Sequence, residues 1–287
     1  MIPTYNHEKF VCEAIESVLS SIEVETEVIV VNDGSTDSTD ELLRNFSNIR
    51  YYLTSNKGAH AALNYGISLA SHGMIAILND DDVYLKDHLI DSMIRLESTA
   101  SDLLVSNFMP FGINPLLEEI TNHALLMNER ISQFGLQKTL LLRNWAVSTS
   151  SYLFKKDLFE RIGGFNPLSM CHDYEFLIGA IFRGSARVYY SEKIGWRYRC
   201  HAQNSSNAID SNMRRAQWYA ATFAHFQFFP VHLREFLLNS SEKHLGMTRD
   251  QFDWIVRDLG NFESFADIDL VVERIASLIT GVSPLNS

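Results

Sequence analysis

The chain has 287 residues, of which 46% are hydrophobic, 11% aromatic and 21% charged. That composition excludes a disordered or fibrous chain and is sufficient to bury a core, in one large domain or two modest ones. The formal net charge of -11, from 24 Lys+Arg against 35 Asp+Glu, argues against nucleic-acid binding and means that an anionic substrate needs local cations or a metal ion.

In chain order, residues 10–22 place Val11, Ala14, Ile15, Val18, Leu19 and Ile22 on one helical face, with Asn6 as a nearby cap. Residues 27–32 (EVIVVN) read as a buried strand. Asp33-Gly34-Ser35 is turn chemistry, and Ser38 and Glu41 have capping-box spacing. Residues 49–54 predict a strand, 59–70 a helix, 74–78 (MIAIL) a buried strand, 88–97 a helix and 102–107 a strand. Strands separated by helices of this length imply parallel βαβ units, whose ligands sit beyond the carboxyl ends of the strands. Asp33 and the run 79–82 each follow directly on an apolar strand pattern. Residues 108–145 mix loop and helix; 145–154 predicts a strand and 155–162 a short helix ended by Gly163-Gly164. Residues 174–182 read as a helix, 186–192 as a strand, and the chain from about 210 onward as helices packed on the rest.

Cys12, Cys171 and Cys200 are odd in number and form no CxxC, so a reducing compartment is expected and no disulfide framework. The opening MIPTYNH has no leader pattern, and no run of 18 uncharged apolar residues occurs, so neither a signal peptide nor a membrane span is expected.

Three clusters carry chemistry. Asn79-Asp80-Asp81-Asp82 packs three carboxylates after a buried strand, and such carboxylates repel unless a cation relieves them. The same residues also suit a solvated turn that caps the next helix. Asp33, beside a Gly turn, can accept from a base N–H or close an Asx-turn. Asn56-Lys57-Gly58, with Asn64 and Gly66, offers close backbone approach and one cation.

Together these motifs resemble family 2 glycosyltransferases, which have the GT-A nucleotide-sugar fold. IPTYN at 2–6, VVNDGSTDST at 30–39, NKGAHAALNYG at 56–66 and LNDDDVY at 78–84 are similar to that family's consecutive motifs. GGFNP at 163–167, HDYEF at 172–176 and YRCHAQNSS at 198–206 are similar to its acceptor-side motifs. The order of all of them, over residues 1–206, is what makes the resemblance specific.

The resemblance implies an α/β fold with a mixed, mainly parallel sheet flanked by helices, and a C-terminal helical extension. Residues 1–209 would be the glycosyltransferase domain, with 1–107 the nucleotide-sugar half and 108–209 the acceptor-side half; 210–287 would be the extension. It implies an inverting transfer of a sugar from a nucleotide donor, UDP-linked by expectation, to a hydroxyl acceptor in polysaccharide or glycoconjugate synthesis. Thr4, Tyr5, Asp33, Lys57, Asn79 and Asp80 would bind the donor, with Asp33 facing uracil and Asn79 the ribose. Asp81 would bind Mn²⁺ or Mg²⁺, His201 would contact the metal or the diphosphate, and Asp173 would be the catalytic base. The implied partners are the nucleotide sugar and a glycan or lipid-linked acceptor, with no nucleic acid. The implied setting is the cytoplasm, including the inner face of the membrane through peripheral contact alone.

Several residues depart from the family pattern. Asn79 replaces the first Asp of the DXD motif, Leu63 stands where Arg is frequent, and His172 where Glu is frequent. Only Met1 and Ile2 precede Pro3, so either the first strand is short or the true start lies upstream. These departures motivate the alternative of a non-catalytic nucleotide-sugar binder. A nucleotidyltransferase of similar fold needs a Gly- and Arg-containing loop after the first strand, and PTYNHEK has neither residue. Cys171-His172 and Cys200-His201 do not suit zinc, because adjacent side chains rarely converge on one ion. Asp173 also suits a helix cap, and the aromatic stretch 218–229 suits core packing or dimerisation better than a membrane surface.

Overall fold

The computed structural model describes residues 1–21, 24–113, 117–204, 210–240, 245–259, 265 and 268–280. β1 (Ile2–Thr4), β2 (Ile29–Asn32) and β3 (Arg50–Leu53) form a parallel sheet in the order β1-β2-β3. Its register sets Ile2 opposite Val30 and Thr4 opposite Asn32. The connecting α1 (Val11–Leu19) buries Val11, Ala14, Ile15 and Val18, an i, i+3, i+4, i+7 stripe that holds it on the sheet. Each such side chain contributes about 1.5–3 kcal/mol when fully buried. α2 (Thr39–Leu43) and α3 (Ala59–Leu69) complete this half.

A second sheet has the order β4-β7-β6-β8-β5, with β4 (Met74–Ala76), β5 (Val83–Tyr84), β6 (Leu103–Gly112), β7 (Tyr152–Lys155) and β8 (Val188–Cys200). The Met1 amino group donates to Ala76 O at 2.9 Å and the Leu78 N–H to Met1 O at 3.1 Å, so β1 lies beside β4 and joins the two sheets. β6 and β8 are parallel, whereas β7 and β5 run antiparallel to their neighbours, so the sheet is mixed as expected. α4 (His88–Ser98), α5 (Leu117–Phe134), α6 (Leu136–Leu142), α7 (Lys156–Ile162) and α8 (His172–Ile178) flank it.

The carboxyl-terminal helices are α9 (Ser211–Phe223), α10 (Val231–Ser240), α11 (Arg249–Leu259) and α12 (Ile268–Thr280). Ala216, Tyr219, Ala220 and Phe223 of α9 share one apolar core with Tyr174, Phe176 and Leu177 of α8. Across the same contact, His225 Nε2 and Glu175 Oε1 lie 2.6 Å apart, both nearly inaccessible to solvent.

Four local expectations fail. Asn6 does not cap α1; it takes a φ of 56°, which Asn tolerates, and accepts from the Thr36 N–H at 2.7 Å. The Ser38–Glu41 box does not form, because the Ser38 N–H donates to Glu8 Oε2 at 2.9 Å and Asp37 Oδ1 accepts from the Thr39 N–H at 3.0 Å. Residues 145–154 are not one strand: β7 begins at Tyr152, and Val147 has a φ of 65°, incompatible with extended backbone. Asp173 sits inside the first turn of α8, while Cys171 holds the cap position, so it does not cap that helix.

Candidate functional site

The register of β5 on β8 assembles one end of the site. Val83 pairs with Arg197 and Tyr84 with Trp196, so the chain before β5 runs antiparallel to the end of β8. Asp82 Oδ1 therefore meets the Arg199 N–H at 3.0 Å, and Arg199 Nε donates to Asp81 O at 2.7 Å. Two residues on, His201 Nε2 lies 2.9 Å from Asp81 Oδ2, and Asn204 Nδ2 donates to the same oxygen at 3.3 Å. Asp82 Oδ2 accepts from Ser150 Oγ at 2.6 Å. Burial raises the Asp82 carboxyl well above the ordinary range, and Asp81's charge adds to it.

The end of β1 brings a residue that local sequence patterns do not reveal. His7 Nδ1 lies 2.6 Å from Asp80 Oδ1, and its ring meets that of His201 edge-on at 5.7 Å. The ligand atoms of His7, Asp81 and His201 all lie within 4.8 Å of one another. Burial opposes a charge on His7, but the Asp80 hydrogen bond and the charges of Asp80, Asp81 and Asp37 raise it to about 9. Two imidazoles and a carboxylate at this separation fit a divalent first-row metal ion. Asp80, expected among the donor ligands, is buried against His7 and also accepts from the Tyr5 N–H at 3.3 Å.

The other expected donor residues fall beside this group. Thr4 is buried and Tyr5 is 43% exposed, leaving its ring open at the end of β1. Asp33 is buried at the end of β2, and its carboxylate accepts from the Gly58 N–H at 2.7 Å and the Lys57 N–H at 3.0 Å. Thr54 Oγ1 donates to it as well, at 3.2 Å. Asp33 thus anchors the Lys57-Gly58 turn, whose Lys57 side chain is exposed. Asn64 reads across to a second motif: its Nδ2 donates to Phe165 O and its Oδ1 accepts from the Phe165 N–H, each at 2.8 Å. Gly164 beside it has a φ of 80°, and a Cβ there would stand 2.7 Å from Asn64 Oδ1, which requires glycine. Leu63, at the position expected for a cation, is fully buried in the core.

The segment from Asn144 to Ser151 joins this cluster to Asp173. Asn79 Nδ2 donates to Ser148 Oγ at 3.0 Å and Asn79 Oδ1 accepts from Thr149 Oγ1 at 2.8 Å, so both ends of the amide hold the loop. At the other end, Asn144 Nδ2 donates to Asp173 Oδ2 at 3.1 Å. Asp173 is only 8% exposed. Burial raises its carboxyl to about 6, against the hydrogen bonds from the Tyr174 N–H, Asn144 and its own N–H. Tyr152, at the start of β7, donates from its hydroxyl to Asp173 O at 3.0 Å and fixes the turn. A carboxyl titrating near neutral pH, oriented by an amide, suits a general base. Sequence reasoning misses Asn144 and the loop, since no motif marks either.

Known proteins resemble this chain in sequence and in fold. The sequence model of Glycosyl transferase family 2 matches residues 1–163. An uncharacterized glycosyltransferase of Rickettsia conorii is 28% identical over 236 residues, covering 78% of this chain and 37% of the relative. Another, of Rickettsia prowazekii, is 30% identical over 216 residues, covering 72% of this chain and 65% of the relative. The chain thus spans less than two thirds of either protein. Among solved structures, S. aureus TarS 1-349 in complex with UDP aligns with a TM-score of 0.60 at 16% identity, over 97% of this chain and 82% of that one. The mannosyltransferase PcManGT from Pyrobaculum calidifontis, in complex with GDP-Man and Mn²⁺, aligns with a TM-score of 0.61 at 15% identity, over 97% and 85%. At that identity these two speak for the GT-A fold alone. No helix of the described residues is long and apolar enough to cross a membrane. The family match covers β1 to α7, the segment that carries Asp33, Lys57 and the 79–82 run, and the chain belongs to glycosyl transferase family 2.

Proposed function

We propose that this chain transfers a sugar from a nucleoside-diphosphate donor, UDP-linked, to an acceptor hydroxyl with inversion at the anomeric carbon. One observation carries the reading: one loop, residues 144–151, bonds Asn79 and Asp82 on either side of Asp81, a member of the His₂-carboxylate group, and at its other end bonds a buried carboxyl of raised pKa. Asp81, His201 and His7 would hold Mn²⁺ in preference to Mg²⁺, since two imidazoles suit the former, and the ion when bound would neutralise charge on the departing diphosphate. Tyr5, beside the 33–36 turn, offers its open ring to the base, while Lys57 supplies a cation near the phosphates. Asn79 reaches a ribose hydroxyl by exchanging Ser148 or Thr149 for it. Asp173, positioned by Asn144, takes the proton from the acceptor hydroxyl as its oxygen bonds to the anomeric carbon, and the bond to the diphosphate oxygen breaks on the opposite face. In this reading residues 1–209 are the catalytic unit and 210–287 an extension that walls the acceptor side. The proposed setting is glycan assembly at the cytoplasmic side of the membrane. What the structural neighbours hold, UDP in one and GDP-Man with Mn²⁺ in another, supports both the donor class and the ion.

A panel of UDP- and GDP-sugars, scored for nucleotide release with Mn²⁺ or Mg²⁺, tests the reading. Metal-dependent release of UDP is expected. Tight UDP binding without release by any member of the panel would favour a non-catalytic binder.

A further inference from the structure

Beside Asp173 lies a cavity of about 620 Å³, bounded by α5, the 144–151 loop, the start of α8, and α9. Its charge is opposite to that of the chain. Arg130, Arg143, Arg214 and Arg215 line it, and Asp173 is the one carboxylate among its described lining residues. In a chain of net charge -11, four arginines around one cavity mark a local need for positive charge. Burial sets the raised pKa of Asp173, opposed by hydrogen bonds from the Tyr174 and Asp173 N–H groups and Asn144. Arg215 is held in place, Nη2 donating to Gly246 O at 3.1 Å and to Tyr219 OH at 3.3 Å. Arg143 is exposed to incoming solute, and half-buried Trp218 gives the same wall a flat apolar face. Guanidinium groups match phosphate oxygens in pairs and stay charged at every working pH.

We propose that the acceptor is anionic: it carries a phosphate or diphosphate close to the hydroxyl that is glycosylated, and the arginines of this cavity bind that group while Asp173 faces the hydroxyl. The inference rests on the reading of Asp173 as the base. None of the residues that line the cavity belongs to the His7, Asp81 and His201 group, so in this reading the donor diphosphate goes to that group and the arginines take the acceptor's phosphate.

The test has two separate steps. First, UDP affinity with Mg²⁺ is measured for the wild type and for the Arg143→Gln/Arg214→Gln double variant. Equal affinity is expected, and it shows that the variant folds. Next, the UDP-loaded proteins are titrated with glycerol 3-phosphate against glycerol, and with farnesyl phosphate against farnesol. In at least one pair the phosphate should bind about ten- to a hundredfold tighter, with the margin shrinking as salt rises. The double variant should lose the margin, and Arg143→Lys/Arg214→Lys should keep part of it. A margin in the glycerol pair assigns a soluble phosphate-bearing acceptor; one confined to the farnesyl pair assigns a lipid-borne phosphate. Equal binding of phosphate and neutral forms in both pairs, or a margin that survives in the Gln variant, overturns the proposal. If the wild type does not bind UDP, the donor reading fails by itself, and the same titrations on the unliganded protein still decide the cavity.

Discussion

The two ends of the 144–151 loop solve opposite electrostatic problems. At the Asn79 end, three consecutive carboxylates gather histidines and hydrogen-bond donors: Asp80 takes His7, Asp82 takes Ser150 and the Arg199 N–H, and Asp81 takes His201. At the Asn144 end, one buried carboxyl stands before four arginines. The first arrangement suits a cation and the second an anion, on a chain whose overall charge is strongly negative. Net charge therefore says little about either pocket, because a few side chains within a Debye length outweigh the distant majority.

The most direct way to break this contrast is to remove the charge at the Asn144 end. Asp173→Asn keeps the shape of the side chain and can still accept from neighbouring N–H groups, but it cannot take a proton. Transfer to a working acceptor should fall by about 10²–10⁴-fold. UDP affinity should be unchanged. Near-wild-type transfer by this variant would remove Asp173 from the mechanism.

The cation end should respond in the complementary way. Asp81→Ala should abolish the metal-dependent part of UDP affinity, since it deletes the carboxylate shared by His201 and Asn204. His7→Ala sharpens the point, as His7 is the member absent from the expected metal set. A loss of about 10–100-fold in Mn²⁺ affinity is expected, by calorimetry. An unchanged Mn²⁺ affinity would reduce His7 to a half-buried partner of Asp80.

How much of the molecule is legible in its sequence follows the range of the interactions. Buried strands read as apolar runs, and β2 and β4 lie inside the segments expected for them. Asp33 and Lys57 are each legible as residues of a turn after a strand, but the bond between them spans 24 positions and is not. The 145–154 segment misleads because its Trp, Val, Thr, Tyr and Phe content favours extended backbone, whereas Val147 turns left-handed and the following residues fold on themselves. β8 extends beyond the expected strand, to Cys200, because its outer half pairs with both β6 and β5. Arg197 and Arg199 lie over the Phe111 ring, a packing that charge patterns conceal. His7 and Asp80 stand 73 positions apart and Asp81 and His201 stand 120 apart, distances at which no spacing rule operates. The cavity arginines come from α5, the end of α6 and α9, where each reads as an ordinary solvated cation until the helices pack.

The protonation of Asp173 gives a graded test of the same contrast. With its carboxyl raised to about 6, Asp173 is ionised above that pH and protonated below it. The transfer rate under saturating donor should therefore fall about tenfold for each pH unit below about 6. UDP affinity should not follow the same curve. A flat profile down to pH 5 would mean that the proton goes elsewhere.

The smallest effect concerns stability, and its sign is opposite to what the loss of a hydrogen-bonded acid suggests. The Asp173 carboxyl is raised from an ordinary 3.8 to about 6, so the folded state holds its proton more tightly than the unfolded chain. Its favourable contribution is present below about pH 4 and disappears as pH rises from about 4 to about 6. Above that, ionised Asp173 costs stability, because it is charged within a buried site. For a carboxyl raised this far, the cost is on the order of 1–3 kcal/mol. Asp173→Asn removes it while keeping the acceptor oxygen for the Tyr174 and Asn144 N–H groups. The variant should thus melt a few degrees above the wild type at about pH 7 and lose that advantage at about pH 4. Calorimetric melting at the two pH values measures the difference. A variant that melts lower than the wild type at neutral pH would mean that the ionised carboxylate is stabilised by its surroundings, and the arginines of the cavity would then be its partners.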